Sequence, residues 1–545
     1  MHRHPDSGAG EARNLLFNMS VSENGSIGDL MHRLCNARVA FVFFLLALAS
    51  GFTAPPLHAA PMQNDASQAI EQGAADAMPA TPPLDLDDLE HRTFEYFWQT
   101  ANPRNGLVPD HWPLGKEPFS SIAATGFALT AYPIGVERGW ITRDQARQRV
   151  LTTLRFFANA PQGPAEDGMA GYHGFFYHFL DMQKGVRYAR WVEVSTIDTT
   201  LLMAGVLFDQ TYFDQDDPQE KEIRDLADKL YRGIDWKWAQ VRPPRIGMGW
   251  TPGGKFIDHD WEGYDEAMIL YVLALASPTH AVKPDAWKAW TSTYDRTWGS
   301  FMGSQPHVGF APLFGHQYSQ AWIDFRGIQD AYMRRRGLDY FENSARSTAG
   351  QRAYAIANPL HFRGYGEDVW GLTACNGPGE ITWEHDGTQT LFAGYSARGA
   401  DADRVFDDGT IAPTAAISSI AFTPEISLRA MQEMYRRYGP WLYSDYGFKD
   451  AFNPSFSLNA PLRTGAVVPG QGWFDSEYLG IDQGPILLMI ENYRSGFVWK
   501  VMRSNPYIRK GLQRAGFKGG WLSGQNQASN IPRHRTNERA LAVAR

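Results

Sequence analysis

Six separated segments of this chain run from small, polar or acidic residues directly into an apolar stretch with helical spacing. Each segment has the pattern of a helix start, because polar side chains favour the first turn and apolar residues favour a buried body. Six buried helices that begin in this way predict a ring of inner helices whose polar ends surround a cavity. The six segments are residues 120–126, 193–199, 262–267, 319–324, 408–414 and 480–485.

Charged, amphipathic stretches lie between these segments and are typical of an outer layer of helices. Residues 143–151 and 221–227 are two of them. Together the two kinds of stretch predict an all-α fold, an (α/α)6 barrel of six inner and six outer helices. Residues 245–256 are rich in Gly and Pro, which favour turns, so we expect minor β-hairpins in the loops.

The two ends of the chain differ in composition from its centre. Arg33 and Arg38 precede an apolar run at 39–49, and small residues follow, which is the pattern of a secretory signal peptide. We therefore expect a periplasmic or secreted protein without a membrane contact in its mature form. The predicted divisions are an extension of doubtful origin plus signal peptide at 1–60 (signal about 31–59), a flexible linker at 61–83, the (α/α)6 domain at 84–522 and a polar tail at 523–545.

The composition excludes some classes of function. The chain has 545 residues and a formal net charge of -8, and no cluster of Lys and Arg is long enough to follow a phosphate backbone, so we expect no nucleic-acid partner. Cys35 lies in the predicted signal, which leaves Cys375 as a single thiol without a disulfide partner. The 18 Trp, 23 Tyr and 32 Phe fit walls that stack on sugar rings, although packing in a helical core is an equally good reading of most of them. We expect a monomer.

Motifs for metal, nucleotide or nucleophilic serine chemistry are missing. The sequence contains no HExxH or CxxC, and its 15 His are scattered, so we expect no metal and no organic cofactor. The acidic run at 401–409 places Val405 where a calcium loop needs an oxygen ligand. Residues 394–399 miss the nucleophile-elbow spacing by one position.

Carboxylates near the predicted helix starts are the remaining candidates for chemistry. Each one alone is also explained as a helix cap that binds free backbone amides. Residues 261–266, however, place three acids beside two aromatic rings, which is more charge than a cap requires. One protonated carboxyl and one ionised carboxylate beside such rings cleave glycosidic bonds. The candidate acids are Glu193, Asp198, Glu262, Asp265, Glu266, Asp408, Asp475 and Asp482.

Aromatic, guanidinium and amide side chains near the same rim are candidates for binding a sugar. An aromatic face covers a pyranose ring, and a guanidinium group donates hydrogen bonds to hydroxyls. Ordinary packing or salt bridging explains each of them equally well. The candidates are Arg190, Trp250, Trp261, Tyr264, Trp322, Arg326 and Gln483.

Five ordered stretches resemble the glycoamylase-like family of bacterial β-1,2-glucanases, glycoside hydrolase family 144. They are residues 193–199, 261–266, 408–415, 446–453 and 481–485, and the likeness extends from about 94 to 517. The resemblance implies a single (α/α)6 barrel without metal or organic cofactor. It also implies hydrolysis of β-1,2-glucan to sophorose or short sophoro-oligosaccharides, with inversion at the anomeric carbon.

The resemblance also implies roles for individual acids. It gives the general acid as Glu262, the carboxylate of the matching segment with the most apolar sequence neighbours and therefore the one expected to have a raised pKa. Asp198 and Asp482 are the leading candidates for the base, and Glu193, Asp265, Glu266 and Asp475 for holding hydroxyls or relaying a proton. Residues 377–404 look longer than the family pattern, which would close one end of the cleft and favour release of a disaccharide from a chain end.

Three alternatives remain open on the sequence. A fold alone does not fix a function. Instead of a β-1,2-glucan hydrolase, the same barrel could belong to a transglycosylase, to a hydrolase of another β-glucan linkage, or to a glycan-binding protein without catalysis.

Overall fold

The computed structural model describes residues 83–116, 118–385 and 388–523. The predicted extension and signal peptide lie outside the described residues, as do nearly all of the linker and the polar tail, so those divisions stay predictions. No described helix combines the length and the apolar character needed to cross a membrane.

Helices make up most of the ordered structure. Fifteen α-helices and two short 3-10 helices (residues 291–296 and 520–522) occur in the described part of the chain. The α-helices are α1 (Leu86–Thr100), α2 (Ile122–Glu137), α3 (Arg143–Asn159), α4 (Thr196–Tyr212), α5 (Pro218–Gly233), α6 (Met268–Ala276), α7 (Asp285–Trp290), α8 (Phe314–Trp322), α9 (Ala331–Arg336), α10 (Tyr340–Ala357), α11 (Pro413–Ile417), α12 (Pro424–Leu442), α13 (Gly480–Arg494), α14 (Phe497–Ser504) and α15 (Pro506–Arg514).

The strands are short and pair only into antiparallel ribbons of two or three within the described residues. They are β1 (His111–Trp112), β2 (Phe119–Ser121), β3 (Gly171–Tyr172), β4 (Phe175–Phe176), β5 (Phe179–Asp181), β6 (Val194–Ser195), β7 (Gly249–Thr251), β8 (Lys255–Phe256), β9 (Trp298–Gly299), β10 (His307–Val308), β11 (Ala374–Cys375), β12 (Ile381–His385), β13 (Thr388–Phe392), β14 (Ser396–Ala397), β15 (Gly399–Asp401), β16 (Arg404–Phe406), β17 (Tyr443–Ser444), β18 (Gly447–Phe448), β19 (Phe452–Asn453), β20 (Ala466–Val468), β21 (Gly472–Phe474) and β22 (Tyr478–Leu479).

The fold is the predicted (α/α)6 barrel. Helices α2, α4, α6, α8, α11 and α13 are buried along nearly their whole length and form the inner ring. Helices α1, α3, α5, α10 and α12 each bury one stripe and expose the rest, as outer helices do. The short α7 and the 3-10 turn that follows it stand between α6 and α8. The predicted hairpin near 245–256 is present as β7 and β8.

Inner helices approach one another closely where they carry glycine. A Cβ atom on Gly126 of α2 would lie 2.3 Å from the Leu201 carbonyl oxygen of α4. In return, a Cβ atom on Gly205 of α4 would lie 2.1 Å from the Gly126 carbonyl oxygen. Only residues without a side chain allow this contact, which fixes the spacing of the two helices next to the site.

The prediction of a helix start at residues 319–324 is wrong. Helix α8 begins at Phe314, so this segment is its C-terminal end. The polar residues that suggested a start are buried in the helix body and form hydrogen bonds to neighbouring elements of the barrel. Ser319 Oγ donates to the Glu266 carbonyl at 2.9 Å, and Gln320 Nε2 donates to the Tyr340 carbonyl at 3.0 Å. Buried polar groups of this kind need partners, and here they join inner helices to their neighbours.

Candidate active site

The polar ends of the inner helices are held together by the short ribbons. β2 ends at the residue before α2, β6 ends at the residue before α4, and β22 ends at the residue before α13. β22 pairs with β1, and the Gly480 amide donates to the Asp110 carbonyl at 2.8 Å, which links the last inner helix to the segment before the first. The N-terminal ends of these helices therefore meet on one face, where the acids of the first turns converge.

His178 joins two of the predicted acids. Its Nδ1 lies 2.9 Å from Glu193 Oε1, and its Nε2 lies 3.4 Å from Asp198 Oδ1. Burial opposes the charged imidazolium, but the carboxylates of Asp198 and Glu193 outweigh it and raise the pKa of His178 to about 9. Burial raises the pKa of Asp198, while His178 and the Ser195 hydroxyl act against the rise. At neutral pH a cation thus lies between two carboxylates at the start of α4.

Glu266 is the buried acid of the segment that precedes α6. Only 5% of the residue is exposed, and its carboxyl has no side-chain partner among the hydrogen bonds of the described residues. Burial raises the pKa of this carboxyl well above its usual range, and the charges of Asp265 and Asp198 raise it further. Asp265 is held in place because its Oδ1 accepts from the Ala267 amide at 2.9 Å and from Trp290 Nε1 at 3.1 Å. These causes favour the protonated form of Glu266, which lies beside the cluster around Asp198.

Tyr318 of α8 lies at the centre of this face. The residue is 4% exposed. Burial raises the pKa of its hydroxyl well above the usual range, and the charges of Asp482, Glu266 and Asp198 add to the effect. These three acids come from three different inner helix starts, and all three are near enough to Tyr318 to raise the pKa of its hydroxyl.

Asp482 in the first turn of α13 forms a second acidic cluster with Asp450. Their carboxyl groups are in hydrogen-bond contact with each other. Asp450 also accepts a bond from the Asn376 amide at 2.7 Å on Oδ2. Asp475 lies next to them, where its Oδ2 accepts from Asn376 Nδ2 at 2.8 Å and its Oδ1 accepts from the Thr464 hydroxyl at 2.7 Å. Burial raises the pKa of Asp450, of Asp475 and of Asp482.

The segment that the sequence marked as long runs along the same face. Tyr395, half-buried between β13 and β14, has its hydroxyl pKa raised first by burial and then by Asp482 and Asp450. Arg404 in β16 lies near Glu266 and lowers the pKa of that carboxyl. One segment therefore reaches both acidic clusters. Arg398, buried within it, donates to Asp408 through Nε and Nη2, each at 2.7 Å.

The expectation that Glu262 has the most apolar surroundings is wrong. Its side chain is 39% exposed and its Oε2 lies 2.6 Å from Arg245 Nε. The apolar neighbours in sequence point into the barrel, whereas Glu262 points away from it. Glu266, four residues later, has the burial that was expected of Glu262.

Several predicted sugar-binding residues lie elsewhere or support the scaffold. Trp322, the last residue of α8, is fully buried and stacks on Phe127. Arg326, four residues later, binds Asp324 and covers Trp499. Both residues therefore lie at the C-terminal end of α8, opposite to the helix starts that carry the acids. Their misplacement follows from the wrong helix start at 319–324. Arg190 is on the surface, with 78% of its side chain exposed.

The remaining predicted residues are close to the acids but act as supports. Trp261 Nε1 donates to the Thr196 hydroxyl at 3.0 Å at the start of α4, and Trp250 in β7 pairs with Val194 in β6, next to Glu193. Tyr264 stacks on Tyr340 in the core. Asp408 is occupied by Arg398 and is 1% exposed. Gln483 Nε2 donates to the Phe448 carbonyl at 2.9 Å.

The sequence reasoning missed four residues of this face, namely His178, Tyr318, Tyr395 and Asp450. Of these four, only Asp450 could have been found from the sequence, because it falls in the stretch 446–453 that resembles the family. His178 and Tyr395 lie on loops without a helix pattern, and Tyr318 precedes the stretch that was assigned to the wrong end of its helix. In the described part of the chain, no group of three or more His, Cys, Asp or Glu side chains is arranged to hold a metal ion.

The chain is similar to known proteins in sequence and in fold. A family model described as "Putative glucoamylase" matches residues 258–506. An exo β-1,2-glucooligosaccharide sophorohydrolase (non-reducing end) of Parabacteroides distasonis is 30% identical over 470 residues, which are 81% of this chain and 59% of that protein. The chain thus spans less than two thirds of the length of that relative.

Two solved structures are similar along their whole length. The putative glucoamylase of Bacteroides uniformis is 33% identical with a TM-score of 0.68, and the match covers 81% of this chain and 100% of that one. The endo-β-1,2-glucanase of Chitinophaga pinensis, solved with sophorotriose and glucose, is 30% identical with a TM-score of 0.67, with 81% of this chain and 100% of that one covered.

Proposed function

Because this chain belongs to the glycoamylase-like family, of the glycoside hydrolase family 144 type, we propose that it is a glycoside hydrolase that cleaves β-1,2-glucan and its sophoro-oligosaccharides. The acids of the barrel face supply the chemistry. The relatives that act on β-1,2-glucan support the choice of linkage. The substrate is a neutral polymer, which agrees with a cleft in which acids outnumber cations and tyrosine rings lie beside the acids.

The observation that carries the proposal is the buried carboxyl of Glu266, whose surroundings favour its protonated form. A general acid must hold a proton at the working pH and deliver it to the glycosidic oxygen as the bond breaks. Glu266 meets this requirement through its burial and through the charges of Asp265 and Asp198. We assign it the role of general acid, which the family resemblance implied for Glu262.

Asp482 is the proposed base. An inverting hydrolase needs an ionised carboxylate that takes a proton from water on the side of the sugar opposite the acid. Asp482 lies in the first turn of a different inner helix from the one that Glu266 precedes, and both acids are near enough to Tyr318 to raise the pKa of its hydroxyl. Asp198, which already accepts from Ser195 and lies beside His178, is the alternative base and otherwise holds sugar hydroxyls.

The segment 377–406 is proposed to limit one end of the cleft. It supplies Tyr395 near Asp482 and Arg404 near Glu266, and its base is fixed by the Arg398 to Asp408 pair. A rigid wall at this place favours release of sophorose from a chain end. The time course of products from long β-1,2-glucan checks this: sophorose alone at early times supports the wall, and a ladder of long oligosaccharides contradicts it.

On the basis of the predicted signal peptide, we propose that the protein acts in the periplasm or outside the cell, and we propose that it is a monomer. Cell fractionation with an antibody against the chain, together with the molar mass of the purified protein by light scattering, tests both statements.

The deciding experiment compares Glu266→Gln with Glu262→Gln on linear β-1,2-glucan. Removal of a general acid costs about 10²–10⁴-fold in turnover, so Glu266→Gln is expected to lose that much and still bind glucan in calorimetry. Glu262→Gln changes an exposed side chain and is expected to retain activity within about twofold, since surface pairs contribute little. Full turnover in Glu266→Gln contradicts the assignment.

The same preparation separates the alternatives. Wild-type protein on laminarin and soluble starch shows whether another linkage is cleaved. Products longer than the starting oligosaccharide indicate a transglycosylase. Binding without turnover in the wild type indicates a glycan-binding protein.

A further inference from the structure

Asp450 has no role in the mechanism proposed above, although it lies at the centre of an acidic cluster. It is 2% exposed and sits between β18 and β19. Its Oδ2 accepts from the Asn376 amide at 2.7 Å. Its Oδ1 is buried and has no conventional donor, and the same holds for Oδ2 of Asp482.

These two oxygens belong to carboxyl groups that are in hydrogen-bond contact. Two ionised carboxylates cannot share such a contact, because both oxygens are acceptors and like charges repel in a buried site. One proton must therefore lie between them. The Asn376 amide fixes Oδ2 of Asp450 as an acceptor, so the oxygen of Asp450 that remains for the proton is Oδ1.

We propose that Asp450 is a positioning residue that stays a neutral carboxylic acid and donates its Oδ1 proton to Asp482, which keeps Asp482 ionised and oriented towards the cleft. The proposal rests on the proposed function in that it gives Asp482 the role of base. No net proton is consumed: the proton of Asp450 remains on Asp450, and Asp482 has its second oxygen, Oδ1, left to accept a proton from water.

The surroundings of the pair favour a neutral partner. Burial raises the pKa of Asp450 well above its usual range, and the charges of Asp482 and Asp475 raise it further; the bond from the Asn376 backbone amide lowers it, but by less than the others raise it. For Asp482, burial also raises the pKa, and the bond from Asp450 lowers it. The titratable groups that face the pair from the surrounding elements are Tyr96, Asp110, Tyr318, Cys375, Tyr395, Asp475 and, through Asn376, Glu477.

Two substitutions at Asp450 separate the donor from the charge. In Asp450→Asn, the amide oxygen accepts from Asn376 and the amide nitrogen donates to Asp482, so the contact is kept. In Asp450→Ala the donor is lost. The acid limb of the kcat/KM profile reports the ionisation of the base in the free enzyme. In Asp450→Ala this limb is expected to move about one to two pH units upward, because a shift of that size in the pKa of Asp482 corresponds to the free energy of one hydrogen bond to a charged group. In Asp450→Asn the acid limb is expected to stay within about half a pH unit of its wild-type position.

The second measurement does not need activity. Difference infrared spectra of the full chain at neutral pH compare wild type with Asp450→Asn, and the wild type is expected to show one protonated carboxyl signal that the variant lacks. Asp445→Asn is the matched control, because Asp445 lies five residues earlier and is exposed. It is expected to change neither the infrared signal nor the pH profile.

Each outcome decides a separate claim. If Asp450→Asn loses no protonated carboxyl signal, Asp450 is ionised in the wild type and the proposal is overturned, even if Asp450→Ala fails to fold. An acid limb that stays in place or moves downward in folded Asp450→Ala also overturns it. If the wild type cleaves no glucan but the infrared signal disappears in Asp450→Asn, the proton assignment stands and the proposed function fails.

Discussion

Arg398 and Asp408 form a bidentate ion pair in which both guanidinium-to-carboxylate distances are 2.7 Å and neither side chain reaches solvent. Arg398 also donates to the carbonyls of Cys375 and Ala393, each at 2.9 Å. One side chain thus closes the base of the segment that carries Tyr395. Burial opposes the charge of Asp408, but Arg398 outweighs it and keeps the pKa of this carboxyl below its usual range.

Loss of this pair is expected to destabilise the protein strongly. Arg398→Ala leaves a buried carboxylate and two carbonyls without a donor, so the free energy of unfolding should fall by about 3–5 kcal/mol. Arg155→Ala is the control, since Arg155 binds Glu222 with the same bidentate geometry at 2.7 Å, but on the surface. Arg155→Ala should lower the free energy of unfolding, measured by urea denaturation, by at most about 1 kcal/mol. Equal losses in the two variants would contradict the structural role of Arg398.

The alkaline limb of the activity profile should depend on Asp265. A general acid works while protonated, so activity falls as pH rises through the pKa of Glu266. After burial, the charge of Asp265 is the largest influence that raises this pKa. Asp265→Asn keeps the bonds from Ala267 and Trp290 and removes the charge, so the alkaline limb of kcat/KM should move to lower pH. Asp258→Asn, at a side chain that is 96% exposed, should leave the limb unchanged.

His178 should lower the pKa of Asp198 and so favour its ionised form. His178→Gln removes the cation that lowers the pKa of Asp198, so Asp198 should remain protonated to higher pH and activity at mildly acidic pH should fall about tenfold or more. His173→Gln, at a partly exposed ring beside Asp235, is the control. An unchanged pH profile in His178→Gln would show that Asp198 is not required as an anion.

The same histidine contributes to stability over a defined pH range. Its folded pKa of about 9 lies above the ordinary value of 6.5, so its stabilising effect is complete below 6.5 and disappears as pH rises through 9. Thermal unfolding of wild type and His178→Gln should therefore differ at pH 6 and converge above pH 9. A constant difference across this range would contradict the charge assignment.

The contact between α2 and α4 should tolerate no added methyl group. Gly126→Ala places Cβ 2.3 Å from a backbone oxygen that cannot move alone, and the strain should destabilise the protein by about 1–3 kcal/mol or more. Gly233→Ala near the end of α5 meets no atom within 4 Å and should stabilise the protein by up to about 1 kcal/mol through helix propensity. Calorimetric melting of both variants tests the pair.

Much of the barrel could be predicted because its inner helices are apolar around their whole circumference. Five of the six predicted helix starts are correct, and the exception shows what local pattern leaves out. Ser319 and Gln320 are polar because they bond to neighbouring helices, and polarity alone does not distinguish that duty from a helix start.

The site was harder to predict because its partners are far apart in sequence. Glu262 and Glu266 are four residues apart in a non-helical segment, and only the direction of the chain before α6 decides which one is buried. Asp450 binds a backbone amide 74 residues away, and its contact with Asp482 depends on the closed ring. Composition and periodicity report on single elements and contain no information on such contacts.

The pairing of β1 with β22 has a consequence for biosynthesis. His111 is the partner of Leu479, so the earliest and latest parts of the barrel must meet before the acidic face exists. Contacts so distant along the chain form slowly, because the entropy of closing a long loop precedes any gain from the contact. A partly synthesised chain therefore has no competent cleft, and the acidic face can form only once nearly the whole barrel is available to fold.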